Sequence, residues 1–347
     1  MGLGRRQFLI AAGALLSTPV AAQAQQARGR LPVLGILSPS RRPTQVEWDR
    51  HPATVQLTTL GWIAGRTLSI EHSYAEGNEA LLPDLASELA RKRVDVIWAR
   101  GPEAAIAAAR ATRTIPIVFT GVAWPVEMGL ADSLARPGRN STGIAWTAGE
   151  FESIAKPVEF LRAIGPALKR IVSIWSTHNL RTISGEAYTG WYAGFDAAIR
   201  KLGFDYRLVD VKGPEDYNAA FADIMSSKTE AILAFSTPLN FRERKRIVDF
   251  ATRERLASVF DARQFVELGG LVSYGVDIVN LSVQSVRYLD RVLRGTKPSD
   301  LAIELPSRYE LAVNTKTASS LGLKIPSPLL LRADRVIEWS AGTTGKE

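Results

Sequence analysis

The order of short apolar runs constrains this chain more than any other feature. Runs rich in Val and Ile alternate with helical stretches, and the whole scheme occurs twice. In the first half the strand candidates are Leu31–Ser38, Thr67–Tyr74, Val94–Arg100, Ile115–Gly121 and Ser141–Trp146. Between them, Leu82, Leu85 and Leu89 recur at helical spacing, and Glu103 to Arg113 is alanine-rich with no glycine or proline to break it. In the second half the strand candidates are Arg170–Ser176, Tyr206–Val211, Glu230–Ser236, Ser258–Asp261 and Leu271–Gly275. Helices are expected over Gly185–Leu202, Glu215–Ser227, Phe241–Arg255 and Leu281–Arg294. Tyr188, Trp191, Tyr192, Phe195 and Ile199 form one apolar stripe, which reads as core.

Strands alternating with helices imply parallel sheets covered on both faces. Two such units in series, within 347 residues, imply two α/β lobes. No low-complexity linker separates them. Lobes joined tightly leave a cleft between them, and such clefts are preferred ligand sites.

Residues 1–24 read as an export signal. Arg5 and Arg6 precede the apolar stretch Phe8–Leu16, and Ala22-Gln23-Ala24 is an A-x-A cleavage pattern. The apolar stretch is about half the roughly 20 residues that span a bilayer. Arg5-Arg6-Gln7-Phe8-Leu9 resembles a twin-arginine signal, with a Sec signal as the alternative. The mature chain is then periplasmic, begins near Gln25 and has no stable membrane anchor.

The chain has no cysteine, which excludes disulfides, cysteine–zinc sites and catalytic thiols. Its three histidines, His51, His72 and His178, are too scattered for a metal centre, so no metal or other cofactor is expected. Formal net charge is +8, falling to +6 once Arg5 and Arg6 leave with the signal. That balance, with no helix-turn-helix or zinc-finger pattern, gives no footing for nucleic acid. Walker, dinucleotide-binding, nucleophile-elbow and metalloprotease motifs are all missing from the sequence. His178 follows a strand and is a candidate base. Asp261 and Asp277 flank strands, as an acid–base pair, as helix caps or as amine binders.

Several sequence blocks in a fixed order go further. They include RRQFL…AAQAQQ, LPVLGILS, IEHSYAEG, IPIVFTG and the GL-x-x-SL-x-RPG-x-N-x-TGI block over Gly129–Ile144. GEFESIAKPVEFL at Gly149–Leu161, GGLVSYG, RVLRGTKPSDL, P-x-x-YELAVN-x-KTA-x-x-LGL and LLLRAD-x-VIE follow. In this the chain resembles the ABC transporter substrate-binding proteins of the tryptophan- and tyrosine-binding type. The resemblance implies a type I periplasmic-binding-protein fold, in which two doubly wound parallel-sheet lobes hinge and close on a small molecule. It implies a non-enzymatic monomer that serves an inner-membrane permease and its ATPase. Lobe one would take residues 25–147 and about 277–305, and lobe two residues 148–276 and about 306–347. The crossovers would lie near Trp146–Glu150, Tyr274–Asp277 and Pro306–Glu310, and the helix from Leu281 to Arg294 would return to lobe one.

Ligands of open α/β sheets sit outside the carboxyl ends of the strands. The expected contacts are therefore Ser38 and Pro39, Arg100 and Gly101, Gly121 through Trp124, and Ser176 with His178 and Asn179. Ser236, Thr237, Asp261, Arg263, Tyr274 and Asp277 complete the set. Arg100 suits a carboxylate, Asp261 an ammonium and Trp124 a ring or cation. Three turns depart from the family. Arg100-Gly-Pro-Glu103 lacks the usual threonine, Trp124 stands where an aspartate is usual, and Ser176–Arg181 lacks an asparagine–proline turn. The added arginine and tryptophan lean toward an anionic, aromatic ligand. A periplasmic receptor feeding a sensor kinase is one alternative. A secreted hydrolase using His178 with Ser176 or Ser236 is another.

Overall fold

The computed structural model describes residues 30–146, 151–175 and 192–338. The export signal, Ser176, His178, Asn179, Tyr188 and Trp191 lie outside the described residues.

The first sheet holds β1 (Val33–Ser38), β2 (Ser69–Tyr74), β3 (Val96–Arg100), β4 (Ile117–Val122) and β5 (Ser141–Ala145). Its order is β2-β1-β3-β4-β5, and every pairing is parallel. Strands β1, β3 and β5 are almost continuously buried, as helices on both faces require, while β2 at the edge is only half-buried over most of its length. Around it lie α1 (Gln45–Arg50), α2 (Pro52–Thr59), α3 (Leu82–Arg91) and α4 (Pro102–Ala111). In α3, Leu82 and Leu89 are buried and Leu85 packs beside them on the same core. The break between α1 and α2 follows from Pro52, whose ring disfavours the helical region for the residue before it. His51 accordingly sits at ψ 129° and caps α2, its side chain accepting from the Ala53 N–H.

The chain enters the second lobe with α5 (Phe151–Ile164), β6 (Arg170–Trp175), a helix over residues 192–201 and β7 (Asp205–Asp210). It continues through α6 (Asp216–Ser226), β8 (Ala231–Ala234), α7 (Pro238–Arg242), α8 (Arg244–Arg253) and β9 (Ala257–Phe260). Phe195 and Ile199 are fully buried, and Tyr192 packs on the same core. The single helix expected over Phe241–Arg255 is instead two. Thr237 caps an earlier start with Pro238 at the first turn, and Glu243, at φ −87° and ψ 9°, separates α7 from α8.

Next come α9 (Arg263–Glu267), β10 (Val272–Val276) and α10 (Ile278–Leu293). Although β10 belongs to the second sheet, α10 packs on the first. Leu281, Val286 and Leu289 share a core there with Leu34, Ile36 and Trp98. Each such side chain taken fully from water contributes roughly 1.5–3 kcal/mol. Glu304 then bridges to Ile144 at the edge of β5. The chain returns as β11 (Tyr309–Asn314), α11 (Thr315–Ser320), α12 (Ser327–Arg332) and β12 (Arg335–Ile337).

The second sheet has the order β12-β11-β10-β9-β8-β6-β7. Its β7-β6-β8-β9-β10 portion repeats the order of the first sheet and is parallel. β11 runs antiparallel to β10, and β12 is parallel to β11. Both lobes therefore reverse winding at a comparable place, between β1 and β3 and between β6 and β8, where ligand crevices form.

Candidate ligand cleft between the lobes

A cleft of about 370 Å³ opens where those two switch points face each other. That volume lies within the range of small-molecule sites. Ser38 and Pro39 line it from the end of β1, and Arg100 and Gly101 from the end of β3. Gly121 and Trp124 line it after β4. From the second lobe come Ser236 and Thr237 after β8, Asp261 after β9 and Tyr274 on β10.

Aromatic rings from both lobes contribute to the wall. Trp146 flanks Gly121, which adopts φ +77° at a register shift between β4 and β5. A Cβ there would lie 3.3 Å from the Trp146 ring, so glycine serves both the backbone turn and the packing. Trp124 reaches across to the core of the second lobe. Trp175 and Phe235 have ring centroids 4.7 Å apart at the opposite switch point. Tyr274 stacks on Tyr309 at 5.6 Å, joining the two strands next to the hinge. Trp146, Trp175, Phe235 and Tyr309 lie outside the set expected from sequence. Trp175 and Phe235 immediately precede expected contacts, so strand-end position was the available signal.

Several expected contacts also hold the loops in shape. The Ser38 hydroxyl accepts from the Ser40 N–H at 3.3 Å, and Thr237 caps α7 by accepting from Asn240 N–H at 3.3 Å. Ser236 donates to Asp261 twice, from its backbone N–H at 2.8 Å and its hydroxyl at 3.0 Å. Burial nonetheless pushes the Asp261 carboxyl up to about 6.

Arg263 and Asp277 do not line the cleft. Arg263 is drawn to Glu310 at 3.1 Å and Glu267 at 3.5 Å. Asp277 is the N-cap of α10, accepting from the backbone N–H groups of Val279 and Asn280. Both were expected as contacts because they follow strand ends, and the geometry gives them structural roles instead. The cap reading holds for Asp277.

Two carboxyls that sequence did not single out also face the cleft. Glu79 lies on the turn Glu79–Leu81 after β2, and Glu103 is the second residue of α4. Burial raises both carboxyls above the ordinary carboxylate range, and the Glu103 charge raises Glu79 further. Arg242, from the second lobe, acts in the opposite direction on Glu79. The ionisable lining is thus Glu79, Glu103 and Asp261, each raised by burial, against Arg100. Arg100 itself lies with its guanidinium 5.5 Å from the Trp98 ring. No group of metal-ligating side chains occurs among the described residues, and no helix there is long and apolar enough to cross a membrane.

The family model described as "ABC transporter substrate binding protein" matches residues 55–337. The chain belongs to that family. A tyrosine-binding protein from Clostridioides difficile (strain R20291) is 23% identical over 274 residues, which cover 77% of this chain and 74% of that one. Among solved structures, a conserved domain protein from Vibrio cholerae superposes with a TM-score of 0.78 at 24% identity, covering 88% of this chain and all of that one. An ABC domain from Streptococcus pneumoniae, solved in complex with L-Trp, gives a TM-score of 0.77 at 23% identity. It covers 89% of this chain and all of that one. The two α/β lobes of this family member, one sheet parallel and the other parallel but for the pairing of β11 with β10, have the type I periplasmic-binding-protein fold.

Proposed function

We propose that the chain is the periplasmic receptor of an ABC importer. It closes its two lobes on a small molecule and delivers that molecule, chemically unchanged, to a membrane permease with its ATPase. The observation that carries this reading is the cleft, built from the carboxyl ends of both sheets and walled by rings from both lobes. Family membership supports the receptor role. The tyrosine-binding relative and the L-Trp complex support an amino acid or another aromatic compound as ligand. Export through the signal in residues 1–24, cleaved near Ala24, would place it in the periplasm.

Ser38, Pro39, Arg100, Gly101, Gly121, Trp124, Ser236, Thr237, Asp261 and Tyr274 are the proposed contacts on the described part of the cleft. Ser176, His178 and Asn179 are proposed from their place after β6 in sequence. Aromatic rings bury a large area in a fixed shape, and edge-to-face packing on Trp or Tyr adds about 0.5–1.5 kcal/mol per pair.

Thermal unfolding of the mature chain against amino acids, aromatic acids, aromatic amines, nucleosides and small anions tests this. A ligand at about 100 times its dissociation constant adds about 2.7 kcal/mol, a rise on the order of 5 °C for a chain of this size. The expected result is such a rise with an aromatic class, and recovery of the compound intact. A compound recovered chemically altered would overturn the receptor reading, as would a flat response across the panel.

A further inference from the structure

The lining residues include two carboxyls whose environment matches neither solvent nor a salt bridge. The Oε2 atoms of Glu79 and Glu103 are buried, and neither has a hydrogen-bond partner among the described residues. Both residues line the cleft. A buried acceptor without a donor carries its full desolvation cost, and two like charges in one site add to it. Arg100 lines the same cleft, yet no ion pair among the described residues ties it to either carboxyl.

We propose that Glu79 and Glu103 form a receptor subsite for a protonated primary amine, and that the ligand is an aromatic compound carrying one. This rests on the receptor reading above and names the chemistry of its ligand. An ammonium has three N–H donors and no acceptor, which is the chemistry that orphaned carboxyl oxygens lack. Its positive charge cancels the like-charge cost that the pair otherwise bears. The rings of Trp124, Trp146 and Trp175 offer cation–π and stacking surface to the remainder of the molecule. Glu103 lies in the first turn of α4, where the unpaired N–H groups favour a carboxylate in its charged form. The sequence leans toward an anionic, aromatic ligand from Arg100 and Trp124, and the proposed subsite adds an amine to that ligand. Arg100 is left to hold the carboxylate of a ligand that also has one, such as an amino acid.

The amine shifts the pair toward its ionised form, so binding releases protons. The groups facing Glu79 are Glu103 and, from the second lobe, Arg242, and burial is the main influence on Glu103. Affinity for the amine therefore rises with pH through the neutral range.

Tyramine, tyrosine and 4-hydroxyphenylacetate share one ring and differ in amine and carboxylate, so they serve as probes. Calorimetry at neutral pH in two buffers of unlike ionisation heat reads affinity and proton release together. Tyramine or tyrosine should bind with release of protons, and 4-hydroxyphenylacetate should bind more weakly. Glu79→Gln and Glu103→Gln should each weaken the amine-bearing probes about tenfold or more, and should reduce the proton release, while the acid binds no more weakly, since a like charge has been removed. The unliganded melting curve of each variant checks that it folds. Tighter binding of the acid than of either amine overturns the inference and leaves the receptor reading standing. Wild-type affinity for the amines in both variants does the same. Failure of all three probes, and of the wider panel, removes the receptor reading and this inference with it.

Discussion

Asp261 lines the cleft without being free in it. The Ser236 N–H and hydroxyl occupy one oxygen each, which fixes the carboxyl's direction and links the ends of β8 and β9. Glu79 and Glu103 are the contrasting case, the Oε2 atom of each being shielded and without a donor among the described residues. All three carboxyls titrate above the ordinary range because burial disfavours their charge. The sign of the consequence is fixed by linkage. A carboxyl whose folded pKa is raised holds its proton more tightly in the fold than in the unfolded chain. Its stabilising contribution is complete below the unfolded value and is lost as pH rises through the folded one. Glu230 pulls the other way, held below its usual range by the backbone N–H groups of Lys169 and Arg170 despite its partial burial. The contribution of the cleft acids is isolated by comparing variants. Thermal unfolding of the ligand-free protein at about pH 5 and about pH 8 should show a smaller loss of stability on raising pH in Glu103→Gln than in wild type. At about pH 8 that variant should melt higher than wild type, since a buried charge has been removed. A variant that melts lower at about pH 8 would show that the Glu103 carboxylate is paired after all.

At the scale of elements, the ten strand candidates were legible because most are short runs rich in Val and Ile between helix signals. Much of the cleft lining was legible by the same route, since strand ends follow from strands. What could not be read was tertiary. The YELAVN run of β11 carries nothing that says it pairs antiparallel with β10, and β12 is only three residues long. Arg263 and Asp277 follow strand ends as the true lining residues do, and only their partners, Glu310 and the first turn of α10, tell them apart. Nothing in the sequence marks Glu79 or Glu103, because what distinguishes them is an Oε2 atom without a donor among the described residues, which is a property of the assembled cleft. Gly275 is a further case. A Cβ there would sit 1.8 Å from the Asp261 carbonyl oxygen, so β10 can pass the end of β9 only without a side chain. Gly275→Ala must push that crossing open, at a cost of about 1–3 kcal/mol. It should also displace Asp261 and the adjoining Tyr274, and so weaken ligand binding. A denaturant midpoint and ligand affinity equal to wild type would show that the crossing yields freely.

For the whole molecule, the question is what holds the lobes together before a ligand arrives. Trp124 of the first lobe packs on the core of the second, and Tyr274 and Tyr309 stack beside the hinge. Across the mouth, the Arg242 guanidinium donates to the Gly77 carbonyl oxygen at 3.4 Å, a long hydrogen bond between exposed groups. Its charge also opposes the raised titration of Glu79. A ligand can shift the balance of open and closed forms only by binding one of them better. A direct contact between the lobes shifts the same balance with no ligand present, so removing it should open the free protein selectively. A hydrogen bond of this kind is worth on the order of 1 kcal/mol, which is about a fivefold change in the closed-to-open ratio. Arg242→Ala should therefore raise the radius of gyration of the ligand-free protein in small-angle X-ray scattering. With saturating ligand the radius should return to the wild-type value, because the cleft contacts then hold the lobes. For an amine ligand, affinity should change less than the free-state opening alone implies, since losing Arg242 also removes a cation that competes for Glu79. Identical ligand-free radii for variant and wild type would show that the Arg242 contact contributes nothing to closure, leaving that role to the rings of the cleft wall and the hinge.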